Sequence, residues 1–594
     1  MFRFAGLTLL ALSTSVFAQT GAAPSQSPPA QSPPQPQPAA AAAQAPAPAA
    51  TPAPPAHTLL TQAQRNALLA APLPADQAAM KAHVVFLASD ALRGREAGTH
   101  DFDVAAQYVA AQFYAAGLRP AGDEGGYLQK VPLLGYKLAD KGTATWTPTK
   151  GSAQPLVFGE DYVPSPNAAA ATTAVDAPVV FVGYGITAPQ IGHDDYKGVD
   201  VRGKIVAFVN GAPDGLQSEE RAVLGQAAGK TAIAMTKGAV GAIVVGTRAP
   251  TPQMAAMAGR ALEAERVTWA RPDGTGSTPS PSVPVLANLT PAGAAKLFGP
   301  AWAGITAAAD IKPGELKRAG FKPVTAQGRL AINSATTFRP LPSSNVVGIV
   351  PGADPKLKDE VVVLSAHLDH IGVTPDRPGQ PAGGDRINNG AFDNAIGIAS
   401  LIEEAKRFTT SGQAPRRTVM FLAVTAEEKG LVGADYFANN PTVPLKNIVA
   451  DVNLDMPVLL YKFEDMVVFG AERSTLGPIV RRAVNAAGVD LSPDPSPEQS
   501  FFTRSDHFRF VQKGVPSVFL WPGQKGDGGA FQRFLTTCYH RPCDEPTQPI
   551  LWDQGVRFVD VNYRIAREIA DGEQRPVWNK GDYFGTLFKG PMAK

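Results

Sequence analysis

The chain has 594 residues, room for up to about four domains at about 150 residues each. Its hydrophobic content of 44% excludes disorder of the whole chain. Its 54 Lys and Arg against 52 Asp and Glu leave a net charge of +2, which gives no reason to expect nucleic acid or an anionic membrane as a partner, and two cysteines exclude a disulfide scaffold or a four-cysteine zinc module.

The chain opens on what reads as an export signal. Met1-Phe2-Arg3 is a positive start, Leu7 to Phe17 is apolar but too short to span a bilayer, and Val16-Phe17-Ala18 fits a small-x-small cleavage site. Residues 1–18 are therefore expected to be a signal peptide, and the mature chain to be exported, periplasmic or secreted, without stable membrane insertion. Residues 19–57 form a Pro/Ala-rich linker: from Gln19 to His57 there are 12 prolines and no Asp, Glu, Lys or Arg, and such a segment cannot bury apolar surface.

Apolar spacing predicts helices over Asp76 to Leu87 and Val104 to Ala116, separated by the polar, Gly-broken loop Ser89 to Thr99. From about Thr143 the texture changes to short strands, Val179 to Gly185, Lys204 to Val209 and Ala242 to Val245, with a helix over Ala227 to Lys237. This block holds no acidic or histidine cluster and reads as a spacer or binding module. After about Phe321 strands and helices alternate: strands at Asn345 to Val350, Val361 to Ala366, Thr418 to Thr425, Ile448 to Leu454 and Val515 to Trp521; helices at Gly397 to Phe408, Leu431 to Asn439, Leu476 to Ala487 and Trp552 to Asp571. That alternation predicts an α/β sheet with helices on both faces.

Metal-binding residue types fall at the carboxyl ends of these strands, where open α/β sheets build their sites. They are His367 and Asp369, Asp393 in the Gly-rich loop Asn388 to Asn394, Glu427 and Glu428, Asp455, and His540 in a late loop. Imidazoles with carboxylates suit zinc or a similar first-row ion. Two imidazoles and three carboxylates are too many for one catalytic zinc and suit two ions sharing a carboxylate, with a neighbouring carboxylate moving the proton.

The segments Ser365-Ala366-His367-Leu368-Asp369, Gly390-Ala391-Phe392-Asp393-Asn394, Ala426-Glu427-Glu428, Asn453-Leu454-Asp455-Met456 and Tyr539-His540 resemble the co-catalytic zinc peptidases of the M28 family. Phe86 to Asp90, Arg93-Gly94-Arg95, Ser505 to Phe510 and Gly514-Val515-Pro516 resemble it too. Gly183-Tyr184-Gly185, Asp195-Tyr196 and Gly203 to Val206 resemble a protease-associated (PA) domain. The resemblance implies an α/β, three-layer peptidase domain with a central mixed β-sheet of about eight strands flanked by helices. It is split into residues 58–142 and 321–594 by an inserted, smaller β-rich PA domain at 143–320. It implies Zn2+, two per chain, one held by His367 and Asp455, the other by Glu428 and His540, with Asp393 bridging. Glu427 is then the general base, and Asp369 holds the His367 ring by accepting its far N–H. Asp506 and His507 resemble a hydrogen-bonding pair lining the pocket, with Tyr539 beside it.

His370 is expected at the rim, because adjacent positions on a strand end face opposite ways. His57, His83, His100 and His193 lie outside the constellation, and Lys204 lies in no phosphate loop. Cys538 and Cys543 flank His540 and, in an exported chain, are expected to pair as a disulfide. The expected function is exopeptidase action on peptides, most simply an aminopeptidase. A di-zinc carboxypeptidase or dipeptidase uses the same ligand order, but M20-type enzymes insert a lid between the fourth and fifth ligands, here only about 85 positions apart. A glutaminyl cyclase needs one zinc, and a non-enzymatic relative should have lost ligands.

Overall fold

The computed structural model describes residues 60–213, 216–248, 259–278, 280–309, 321–375 and 384–594; the expected signal segment 1–18 and linker 19–57 lie outside them. The described residues 60–70 and those from 71 onward fall in separate units. In the first, the helix Gln62–Leu69 begins at a capping box, where the Thr61 hydroxyl accepts from the Gln64 amide and the Gln64 side chain accepts from the Thr61 amide at 2.8 Å.

The second unit is built on a mixed sheet. Its strands run in the order Arg266–Trp269, Leu128–Leu138, Val324–Val350, Thr418–Val424, Val361–His367, Ile448–Leu454, Ser517–Pro522 and Asp465–Phe469. The four from Thr418–Val424 to Ser517–Pro522 are mutually parallel, so their carboxyl ends open on one edge. Every residue of these four is buried, as parallel strands covered on both faces require. On one face pack the helices Ala75–Leu87, Ile396–Thr410 and Trp552–Asp571. On the other, Val432–Asn439 and His507–Val511 close over Val347, Val363, Met420 and Leu422 through Phe437 and Phe510. This is the three-layer α/β arrangement expected.

The block after Thr143 has its own sheet, of Thr143–Pro148, Thr172–Phe181, Ile205–Phe208, Gly241–Val245 and Val285–Leu289, around a core of Trp146, Phe181, Ile205, Ile243, Leu286 and Leu330. One strand serves both sheets. Gly328 to Ala335 pairs within the block, and from Thr336 onward the same strand pairs with Leu128–Leu138 and then Thr418–Val424. The pairing therefore changes hands at Ala335/Thr336, beyond the expected boundary at 320. The block also sends a strand back: Arg266–Trp269 pairs with Leu133 to Tyr136, and the Trp269 indole N–H donates to Asp435 at 2.7 Å. Among the described residues no helix is long and apolar enough to cross a membrane.

Helix Ile396–Thr410 buries Glu404 completely, and its carboxyl oxygens have no hydrogen-bond partner among the described residues. Burial raises its pKa well above the ordinary value, with Arg407 opposing only weakly. A carboxyl whose pKa is raised on folding stabilises the native state only below its unfolded pKa, and that contribution is lost as pH rises through the folded value. Glu404→Met should therefore raise stability by about 1–3 kcal/mol at pH 8 and by less at pH 5. Thermal unfolding of both proteins at the two pH values checks this, and a gain independent of pH contradicts it.

Candidate metal centre

The parallel strands deliver their polar residues to one edge. His367 ends Val361–His367, Glu427 and Glu428 follow Thr418–Val424 by a tight turn, and Asp455 follows Ile448–Leu454. Asp393 lies in the irregular turn Ala391–Ala395, and His540 in the loop after helix Gly529–Thr537. Three non-glycine residues with positive φ adjoin or belong to this set: Ala426 (54°), Met456 (54°) and His540 itself (57°). Each costs free energy on its own and persists where surrounding contacts fix it.

The structure brings all five expected ligands together. His367 Nε2 lies 3.1 Å from Asp393 Oδ1 and 3.1 Å from Asp455 Oδ1. His540 Nε2 lies 3.1 Å from Asp393 Oδ2 and 3.2 Å from Glu428 Oε1. The two oxygens of Asp393 thus face two different imidazoles, each accompanied by one further carboxylate. His540 Nε2 and both Asp393 oxygens are buried without a hydrogen bond of acceptable geometry, so these atoms converge on common points and not along N–H···O lines.

The turn carrying Asp393 is clamped from two sides. The Arg95 guanidinium, fully buried, donates to the carbonyls of Leu87 (3.0 Å), Leu368 (2.7 Å), Gly390 (2.7 Å), Asp393 (3.3 Å) and Asn389. The Asp544 carboxylate accepts from the amides of Phe392 at 2.8 Å and Asp393 at 3.1 Å. Asn394 ties this turn to the Asp455 strand, donating to the Leu454 carbonyl at 2.8 Å and accepting from the Met456 amide. Asp455 is fixed through Oδ2 by the Ser505 hydroxyl at 2.6 Å and through its carbonyl by the Trp521 indole at 2.7 Å. A disulfide joins Cys538 to Cys543, with Cα atoms 5.2 Å apart, and spans the residue that presents His540. The Tyr539 ring lies 3.8 Å from the His540 ring and is half-buried.

Sequence reasoning did not assign Arg95 or Asp544 a part. Arg95 stood inside a quoted motif, so a signal existed; Asp544 sits one residue past Cys543 with none.

Two expectations are corrected and one is refined. Asp369 accepts the far N–H of His367, but through its backbone and not its carboxylate. His367 Nδ1 donates to the Asp369 backbone carbonyl at 3.0 Å, which fixes the proton on Nδ1 and turns Nε2 toward the cluster. The carboxylate accepts from the Glu427 and Glu428 amides at 3.0 and 3.3 Å, holding the turn that carries them. His370 is not at the rim: it is fully buried, with Nδ1 3.0 Å from Glu428 Oε1. The strand ends at His367, so its alternation does not extend to residue 370. Asp506 and His507 do not line an open pocket: both are fully buried, with the His507 ring packed 5.1 Å from Phe502 and 5.3 Å from Phe519.

The electrostatics favour cations. Burial, joined by the nearby Glu428 and Asp393 carboxylates respectively, pushes Asp369 up to about 6 and Asp544 up to about 7. Burial works against charging His540, but Glu428 and Asp393 outweigh it and raise it to about 9. His367 is likewise raised, burial being overcome by Asp455 and Glu427. The buried carboxylates Asp393, Glu427, Glu428 and Asp455 thus hold protons on the His367 and His540 imidazoles, which are otherwise neutral near pH 7. Metal ions satisfy the same excess of negative charge, and a carboxylate–imidazole set fits zinc.

Residues 345–566 match the sequence model of Peptidase family M28. Leupeptin-inactivating enzyme 1 of Streptomyces exfoliatus is 28% identical over 261 residues, covering 41% of this chain and 51% of that protein. Aminopeptidase Y of Saccharomyces cerevisiae is 24% identical over 243 residues, 40% of each. The chain thus spans about half the length, or less, of these curated relatives. Among solved structures, an aminopeptidase from Aneurinibacillus sp. strain AM-1 superposes with a TM-score of 0.45 and 19% identity, covering 84% of this chain and 95% of that one.

Proposed function

We propose, from the match of residues 345–566 to peptidase family M28, that the protein is a zinc aminopeptidase with two ions per chain. The observation that carries this is Asp393: its two oxygens face His367 and His540 separately, each at 3.1 Å. In this reading His367, Asp455 and Asp393 hold one ion, and Glu428, His540 and Asp393 the other. So held, two zinc ions supply Lewis acidity toward a scissile carbonyl and toward the attacking water. Glu427, buried beside Glu428 and fixed at its amide by Asp369, takes the proton of the water and returns it to the leaving amine. Asp369 and Arg95 keep the two ligand-bearing turns in register. The substrates are peptides with a free N-terminus. The relative named aminopeptidase Y supports this polarity.

The remaining expectations join this proposal. Residues 143–320 are read as a PA-like insertion that carries no catalytic residue and shapes access. Residues 1–18 are read as an export signal, which places the disulfide in an oxidising compartment.

Hydrolysis of aminoacyl-p-nitroanilides should be measurable, should vanish on dialysis against a chelator and should return with zinc. N-acetylation of the substrate should abolish it, and elemental analysis should find close to two zinc per chain. Equal cleavage of blocked substrates overturns the aminopeptidase reading. Release of C-terminal residues points to the carboxypeptidase alternative, and full activity with one zinc removes the second ion.

A further inference from the structure

We infer that His370 is a third histidine of the metal centre, ligating through Nδ1 the ion assigned to Glu428 and His540. The inference rests on the two-ion reading above. His370 Nδ1 lies 3.0 Å from Glu428 Oε1 and 3.9 Å from Asp393 Oδ2. These are the same two oxygens that His540 Nε2 faces at 3.2 and 3.1 Å. His370 Nδ1 and His540 Nε2 therefore face the same two oxygens, and His370, Asp393 and Glu428 each place one ligand atom within 4.8 Å of the others.

The two rings are arranged edge to face, with centroids 5.5 Å apart and planes at 74°. Imidazoles meeting at a shared tetrahedral ion, about 2.0–2.1 Å from each nitrogen, have centroids about 5 Å apart. The turn is also shaped to admit the ring. A Cβ on Gly390, whose φ is +61°, would sit 2.7 Å from His370 Cγ and Cδ2, so the absence of a side chain there makes the space the imidazole occupies. The backbone of His370 is held in turn, bridging to Glu96 and donating its amide to the Arg95 carbonyl.

The consequence is an asymmetric pair. The ion at His367 has three protein ligands and keeps an open position. The ion at His540 has four, so a substrate oxygen or water joins it only by expansion to five-coordination. The second ion should therefore leave much more slowly than the first.

The test is metal retention, with no activity readout needed. In the zinc-loaded full chain, chelator competition should release one ion readily and the second at least ten-fold less readily. His370→Ala and His370→Asn should both remove that difference. X-ray absorption on the zinc protein should count three imidazoles per two ions, falling to two in each variant. His370→Asn keeps an N–H donor near the position of Nδ1 and guards against a collapsed site in His370→Ala; circular dichroism verifies the fold of both. If His370→Asn retains both ions like the parent, His370 only donates a hydrogen bond to Glu428 and the inference falls. If the parent binds one ion and His370→Ala weakens it, His370 stands as a ligand while the two-ion reading fails.

Discussion

Glu427→Gln should lower kcat by about 10²–10⁴-fold while KM and bound zinc stay as in the parent. Gln matches Glu in size and keeps the backbone amide that donates to Asp369 at 3.0 Å, so the turn should hold its shape. What is lost is the ability to accept a proton. The neighbouring Glu428, with Oε1 3.2 Å from His540, serves as an internal contrast, because Glu428→Gln should lose metal as well as activity. Steady-state kinetics together with elemental analysis on both variants separate the roles. Zinc loss from Glu427→Gln makes Glu427 a ligand, and unchanged kcat removes it from the chemistry.

Arg95→Lys should weaken zinc binding by about 10–100-fold, the cost of losing groups that orient ligands, and should destabilise the metal-free protein by about 3–5 kcal/mol, as when a buried charge loses its partners. No other side chain reproduces its fork, which reaches the carbonyls of Leu87, Leu368, Asn389, Gly390 and Asp393 at once. Lys is a point donor on a flexible stem, and each buried carbonyl it abandons costs about 1–3 kcal/mol before relaxation. Excess zinc should recover part of the lost thermal stability, since a ligand at one hundred times its Kd adds about 2.7 kcal/mol. Calorimetry with and without zinc checks this. A variant that melts and binds zinc like the parent shows that the turn around Asp393 holds itself.

The candidate ligand set was legible because its geometry is a property of strand direction. Once Val361–His367, Thr418–Val424 and Ile448–Leu454 are read as parallel strands, His367, Glu428 and Asp455 must emerge on one edge. What lay hidden depends on turns and on distant partners. His370 was misplaced because strand alternation was carried past the strand end. Asp369 offered two acceptors, and the backbone one reached the imidazole first, leaving its carboxylate for the Glu427 and Glu428 amides. The strand Leu128–Leu138 contains Pro132 and Gly135, which read as breaks. Gly135 stands where the Glu265 carboxylate approaches, about where a Cβ would be, and nothing near it in sequence announces that neighbour. Likewise, the strand Arg266–Trp269 leaves its own block to pair with Leu128–Leu138, a crossing no local pattern encodes.

The strand shared by the two sheets has a kinetic consequence. Arg95 and the carbonyls around Asp393 are 294 to 298 positions apart. At about 5–20 residues per second a ribosome needs about 15–60 s to make that stretch, during which, of its five acceptors, the guanidinium has only the Leu87 carbonyl within the chain already made. Closing a loop of that length is entropically slow as well as late. Residues 143–335 shorten it, because once Thr143–Pro148 zips to Gly328–Asn333, Leu138 and Thr336 arrive as neighbours. The remaining search from Arg95 then spans tens of residues on either side of that junction. The interruption that splits the sheet in the gene thus acts as a splint, setting Leu138 beside Thr336 and shortening the loop that the Arg95 clamp must close.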